Sequence, residues 1–277
     1  MKTIKEIEQS ITKKFHTKIW TKFIEGINRF KLLDDGDKIA VCVSGGKDSF
    51  LLAKCFQELK RQSDKNGKSN FEVIFLSMNP GYNAENLELL KQNAENLGVP
   101  LTIFDSPIYD TVEKMGGNPC YMCARMRRGN LYAKAKELGC NKIALAHHID
   151  DAIETTMMNI LYAGKFATMM PKIKSKNFEG MSLIRPLILV SESEIIAWRN
   201  YHELKFLNCA CRFTENCVIN ENEPGESTRR KIKFLIKDLK KLNPAAPLNI
   251  FNSANNVVLN QILGYKKDGE YFSNVDC

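Results

Sequence analysis

Apolar residues recur every three or four positions from the start of the chain, at Ile4, Ile7, Ile11, Phe15, Ile19, Phe23 and Ile27, while lysines crowd the opposite face. That spacing predicts a helix over residues 2–33. After Asp34-Asp35-Gly36-Asp37 the pattern changes to an unbroken strand-length run, Lys38-Ile39-Ala40-Val41-Cys42-Val43. A glycine-containing turn follows, then a helix-spaced segment from Asp48 to Leu59. The alternation repeats, with strands near 71–78, 101–104 and 142–146 and helices near 85–97, 122–138 and 151–161. Strands alternating with helices predict an α/β fold with a doubly wound, mainly parallel sheet and helical additions at both ends.

Beyond Leu161 the pattern weakens. Residues 164–180 read as basic and irregular. Helices are expected near 192–201, 227–242 (ended by Pro244 and Pro247) and 249–263, and a frayed tail from Lys266. The expected organisation is an N-terminal helical segment 1–36, a nucleotide-binding domain 37–190, a helical region 191–264 and a flexible tail 265–277.

Composition adds limits. The chain has 277 residues, 44% of them hydrophobic, enough to bury a full core. No apolar run reaches the roughly 20 residues that span a bilayer, and the first ten residues are polar, so a cytoplasmic protein with no membrane partner is expected. A net charge of +8 attracts polyanions without naming one. Nine cysteines in a reducing compartment point to metal or catalytic use rather than disulfides. Cys42, Cys55 and Cys140 lie in apolar or helical surroundings and read as core, and Cys277 lies in a polar tail. That leaves Cys120, Cys123, Cys209, Cys211 and Cys217.

Ser44-Gly45-Gly46-Lys47-Asp48-Ser49 stands between the first strand and its helix. Two glycines let backbone approach an anion, successive N–H groups can form a nest, and the helix N-terminus adds its positive dipole end. Lys47, Ser44 and Ser49 can add donors. The Walker A pattern is not met, because Asp48 follows the lysine. A second cluster, Ala146-His147-His148-Ile149-Asp150-Asp151, falls at the end of the fourth strand, where parallel sheets keep their sites. Its aspartates also suit the first turn of a helix.

Cys120-Tyr121-Met122-Cys123 opens a helix beside Arg125, Arg127 and Arg128, a setting that favours thiolates. With Cys209-Ala210-Cys211 the chain has enough thiolates for a tetrahedral zinc site or for a cubane cluster with one iron open, and spacing alone allows both. Basic stretches at Lys13, Lys14, Lys18 and Lys22, at 165–176, and at Arg229-Arg230-Lys231 with Lys233 suit a nucleic-acid backbone as a set.

The phosphate loop resembles the Ser-Gly-Gly-x-Asp-Ser loop of the PP-loop ATP pyrophosphatases, which cleave ATP between its α and β phosphates and adenylate a substrate. The ordered set of Cys120-x-x-Cys123-Ala124-Arg125-Met126-Arg127-Arg128-Gly129, His147-His148-Ile149-Asp150-Asp151, Ile184-Arg185-Pro186-Leu187 and the late cysteines resembles the tRNA 2-thiocytidine synthetase family over residues 36–242. Three departures stand out: Ala146 occupies a family glycine position, Cys209-Ala210-Cys211 replaces the family's late Cys-x-x-Cys, and Met78-Asn79-Pro80-Gly81 departs as well.

The resemblance implies an enzyme that adenylates a tRNA base, cytidine at tRNA position 32, and replaces its C2 oxygen with sulfur. It implies ATP on Ser44, Gly45, Gly46, Lys47, Asp48, Ser49, His147 and Asp151, with Mg2+ and Asp48 as a candidate to hold it. It also implies a 4Fe-4S cluster on Cys120, Cys123 and either Cys209 or Cys211, leaving Cys217 free. Asp48, Asp151, Cys120 and Cys123 are the expected catalytic residues. A sulfur donor, either a cysteine desulfurase or sulfide, and a homodimer are implied as well. The alternatives are a thiolase for another tRNA nucleotide such as uridine, a lysidine synthetase-like enzyme, and a zinc-stabilised RNA-binding protein.

Overall fold

A computed structural model describes residues 3–67, 70–106, 108, 119–207 and 227–275, and the side chains of 119–125 lie outside that description. The chain forms two units, one of residues 1–150 with 170–220 and the other of 151–169 with 221–277.

The first unit is built on a six-stranded sheet of β1 (Lys38–Cys42), β2 (Glu72–Asn79), β3 (Leu101–Asp105), β4 (Lys142–Ala144), β5 (Lys172–Lys174) and β6 (Ser182–Ile184). The spatial order is β3-β2-β1-β4-β6-β5. Every neighbouring pair is parallel except β5 with β6. The doubly wound, mainly parallel sheet read from the sequence is therefore present. β5 is an addition inside the segment expected to be irregular, and it pairs antiparallel with β6 through the register Ile173 to Leu183.

The two-residue period of β1 shows why the sheet needs cover on both faces. Ile39, Val41 and Val43 enter one core with Phe50, Leu51, Phe56, Leu90 and Trp198. Ala40 and Cys42 enter a second with Tyr132, Ala135, Ile143 and Leu183. Helices α3 (Lys47–Asn66), α4 (Ala84–Asn96) and α7 (Glu192–Tyr201) serve the first core, and α5 (Pro119–Glu137) serves the second.

The first helix is interrupted. α1 (Ile4–Thr12) starts on a capping box of Thr3 and Glu6 and ends at Lys13. A π turn at His16–Trp20 leads into α2 (Thr21–Arg29). Phe15, Ile19, Trp20 and Phe23, which lie in and beside this turn, are all buried.

In the second unit, α8 (Thr228–Leu242) packs with α9 (Ala246–Ser253), burying Ile232 and Phe251. α6 (Ile149–Ala163) begins in the first unit and continues into the second. The last helix is shorter than the expected 249–263. The expected tail instead pairs as a hairpin of β7 (Gly264–Lys267) and β8 (Glu270–Ser273). Its Asp268-Gly269 turn has positive φ at both residues, +52° and +95°, the geometry that closes two-residue hairpins, and Tyr265 stacks on Phe272 at 5.1 Å. Among the described residues no helix is long and apolar enough to cross a membrane.

Candidate active site

At the carboxyl end of β1 the backbone turns through Ser44 and Gly45 into α3, whose N-cap is Gly46. Gly45 has φ +91°, and a Cβ built there would lie 2.5 Å from Leu207 Cδ1. Only glycine meets both conditions. The Leu207 N–H donates to the Gly45 carbonyl at 3.2 Å, and the Tyr82 hydroxyl donates to the Ser44 carbonyl at 3.3 Å. Ser49 Oγ accepts the Ser44 N–H at 3.2 Å and donates to the Gly46 carbonyl at 2.8 Å, bracing the turn from inside. No side chain caps α3, so its first N–H groups are available to an anion.

The charged residues of the loop face one another. Lys47 Nζ lies 3.2 Å from Asp48 Oδ2 and 3.2 Å from Glu192 Oε1. Asp48 Oδ1 is buried and has no hydrogen-bond partner among the described residues. A carboxylate oxygen in that state is costly unless a cation meets it.

The second cluster follows β4, the neighbour of β1 in the sheet. Arg185, buried just past the end of β6, donates from Nε to His147 Nδ1 at 3.3 Å, which places the proton of a neutral His147 on Nε2. The Arg185 guanidinium also donates to the Met170 carbonyl. Asp150 Oδ2 accepts the Glu192 N–H at 2.7 Å and lies 3.6 Å from His148 Nδ1. Within the first unit, the phosphate loop, His147, His148 and Asp150 thus share the carboxyl edge of adjacent parallel strands.

Asp151 belongs to the second unit. There Arg229 bridges it at 3.3 Å and Glu154 at 2.7 Å. Burial lifts the Glu154 carboxyl above its ordinary value, and Arg229 draws it partly back. Arg229, read from sequence as part of an RNA-facing stretch, is committed to these two carboxylates. Lys18 and Lys22, in another such stretch, pair with Glu194 and Glu25.

Cys120 and Cys123 lie three residues apart on α5, their side chains outside the description, and Cys209, Cys211, Cys217 and Cys277 fall outside the described residues. The three cysteines read as core are buried. Burial and the neighbouring Cys140 push the Cys42 thiol up to about 12, and burial raises Cys55 and Cys140 as well, so none is a ready thiolate.

A family model described as a PP-loop domain matches residues 12–217. The tRNA-cytidine(32) 2-sulfurtransferase of Neisseria meningitidis serogroup C is 35% identical over 241 residues, covering 84% of this chain and 70% of that protein. The tRNA-cytidine(32) 2-sulfurtransferase 1 of Francisella philomiragia is 36% identical over 263 residues, covering 93% and 95%. The chain belongs to the tRNA-cytidine(32) 2-sulfurtransferase family. Its fold is also that of the U34-tRNA thiolase NcsA from Methanococcus maripaludis, solved with its 4Fe-4S cluster, at TM-score 0.65 and 22% identity over 93% of this chain and 84% of that one.

Within this 2-sulfurtransferase chain, sequence reading located the loop and the histidines but missed four residues around them. Glu192, Arg185, Tyr82 and Leu207 reach the site from other elements. Arg185 lies within Ile184-Arg185-Pro186-Leu187, and its position one residue past a strand end is the signal that marks it. No local pattern marks the other three.

Proposed function

We propose that this chain is an ATP-dependent tRNA thiolase that converts cytidine 32 of tRNA to 2-thiocytidine. The observation that carries the proposal is the cradle after β1: an uncapped helix N-terminus, a glycine with no room for a side chain, and a buried Asp48 oxygen lacking a partner. Family membership supports the tRNA base as the group activated.

In this reading the loop N–H groups and Lys47 hold the β and γ phosphates, and Asp48 Oδ1 meets Mg2+. His147 lines the nucleotide. The loop orients the α phosphorus toward the cytidine O2, which attacks it. Pyrophosphate leaves, and C2 becomes an electrophile bearing AMP. Hydrosulfide then adds at C2, AMP departs with the former oxygen, and loss of a proton leaves the thiocarbonyl. The donor set of Cys120 and Cys123 within one turn of α5, with Cys209 or Cys211 as third thiolate, suits a 4Fe-4S cluster. Such a cluster would supply an open iron on which sulfide is carried. Free sulfide, or the persulfide sulfur of a cysteine desulfurase reduced to sulfide by a two-electron thiol reductant, would supply the sulfur, and the working species is a homodimer.

Anaerobic purification followed by iron, sulfide and zinc analysis, paired with nucleoside analysis of tRNA from cells lacking and regaining the gene, tests this. About four irons and four sulfides per chain, together with 2-thiocytidine that depends on the gene, are expected. One zinc without iron would overturn the cluster route, and 2-thiouridine in place of 2-thiocytidine would overturn the choice of base.

A further inference from the structure

Leu161, Tyr162 and Phe166 stand exposed where α6 ends, at 53%, 60% and 50% of their full accessibility. The segment that carries them is braced, not frayed. Gly164 takes the left-handed conformation at φ +56° and turns the backbone at the end of the helix. Three hydrogen bonds then tie the following loop back onto α6. The Lys165 N–H donates to the Asn159 carbonyl at 3.0 Å, the Asn159 side-chain amide donates to the Ala167 carbonyl at 2.8 Å, and the Thr156 and Thr168 hydroxyls meet at 2.9 Å. Thr156 is fully buried, which anchors that last bond inside the fold. Neither Tyr162 nor Phe166 pairs with another aromatic ring among the described residues. All of these residues belong to the second unit. The charge along this stretch has one sign: between Glu154 and Glu179 the chain holds Lys165, Lys172, Lys174 and Lys176 and no acidic residue. Lys165, between the two aromatic positions, is exposed and pairs with no acidic group among the described residues.

Apolar side chains presented on a braced loop mark a surface for a partner. Two aromatic rings flanking one ammonium match the parts of a single-stranded nucleotide, because each ring offers a π face to a base and the lysine meets the phosphate between them. A second copy of this chain fits less well. In an isologous contact Lys165 would face its own counterpart, on a molecule that itself carries a net charge of +8. We propose that Tyr162 and Phe166 form a stacking platform for unpaired bases of the tRNA, with Lys165 on the adjoining backbone phosphate. This inference deepens the tRNA thiolase reading and rests on it. Every base has a π face, so the platform holds unpaired RNA without reading its sequence. It also gives the chain a preference for open over paired RNA that contacts to phosphate alone do not supply.

The test measures binding of two RNAs to the full-length chain by fluorescence anisotropy: an unmodified tRNA transcript with cytidine at position 32, and a fully paired duplex of similar length. Tyr162→Ala and Phe166→Ala should each weaken tRNA binding about tenfold, and the double variant by more. Duplex binding should be unchanged, because a paired base offers no open face. Tyr162→Phe and Phe166→Tyr keep a ring and should bind tRNA as wild type does. Lys165→Gln should flatten the dependence of log affinity on log salt by about one, whereas the ring variants leave that slope as it is. Should the alanine variants not fold, Phe166→Trp supplies the second measurement. The native Trp20 and Trp198 are buried, so the emission of an indole on this loop should be quenched by tRNA and not by duplex. Wild type that prefers tRNA, combined with alanine variants of unchanged affinity or with no tRNA-specific quenching, overturns the platform alone. Equal losses for tRNA and duplex mean a structural role and overturn it too. Ring variants that keep tRNA affinity but change the sedimentation coefficient make the patch an interface between copies of the chain, which also overturns it. Wild type that binds neither RNA, or binds duplex as well as tRNA, overturns the tRNA reading and the platform with it.

Discussion

Of the two glycines of the loop, Gly45 leaves the less room for a side chain. Alanine there would have to adopt φ +91° and place a methyl 2.5 Å from Leu207 Cδ1. Left-handed backbone strain and overpacking each cost on the order of 1–3 kcal/mol. Gly45→Ala is expected to lose about 2 kcal/mol or more in urea unfolding and to bind ATP weakly. Gly46, whose nearest neighbour to a built Cβ is 3.8 Å away, should tolerate alanine in stability. Glu154 gives a pH signature. Its folded pKa lies above its ordinary value, chiefly through burial, so the folded chain binds more protons than the unfolded one between the two values. Stability contributed by this group is present below the ordinary value and is lost as pH rises through the folded one. Glu154→Gln keeps an acceptor for Arg229 but cannot ionise. Its melting temperature relative to wild type should rise as pH is taken from below 4 to 7, and a constant difference would contradict the assignment. The residues legible in sequence were those inside short motifs. Glu192 and Leu207 were not, because a side chain more than a hundred positions away leaves no local pattern at the loop it completes.

At the level of elements, the strands and the helices between them followed from period alone, since a strand buried on both faces shows as an apolar run and its covering helix shows one apolar stripe. The π turn was not legible, because a run of apolar residues at three- and four-residue spacing fits a continuous helix equally well. β5 escaped because three residues of an edge strand, Lys172-Ile173-Lys174, present one apolar side chain and two lysines. The terminal hairpin escaped because its turn chemistry at Asp268-Gly269 sits in a polar context that also suits a tail. Gly26 on α2 shows how closely these elements pack. A Cβ there would stand 2.9 Å from the Pro186 carbonyl oxygen, on the turn that follows β6. Gly26→Ala gains roughly 1 kcal/mol of helix propensity and loses about 1–3 kcal/mol to the clash with backbone that cannot rotate away. A net loss near 1 kcal/mol in chemical denaturation is expected. A gain would mean that α2 can slide off the Arg185-Pro186-Leu187 turn.

At the scale of the whole molecule, the chemistry is divided between elements that the chain builds separately. In the proposed mechanism adenylation belongs to the carboxyl edge of β1 and β4, where Asp48, Lys47 and His147 are held by short connections to buried strands. In the same proposal sulfur delivery falls to Cys120 and Cys123 on α5 with a late cysteine. Cys120→Ala or Cys123→Ala should therefore abolish 2-thiocytidine formation and bound iron while ATP still binds and pyrophosphate is still released in the presence of tRNA. Asp48→Ala removes the buried carboxylate whose Oδ1 lacks a partner, so it should cut pyrophosphate release by about a hundredfold or more, the scale of losing one electrostatic stabiliser of a developing charge, while leaving iron and sulfide content unchanged. The pair of variants has a further use, because each retains what the other lacks. Mixed in one tube they should not restore thiolation if each chain completes both steps on its own tRNA, whereas recovered 2-thiocytidine would mean that the two halves of the reaction come from different copies of the chain. Loss of both activities in either variant would show that the cysteine element and the phosphate loop fold as one interdependent site, and the division argued here would fall.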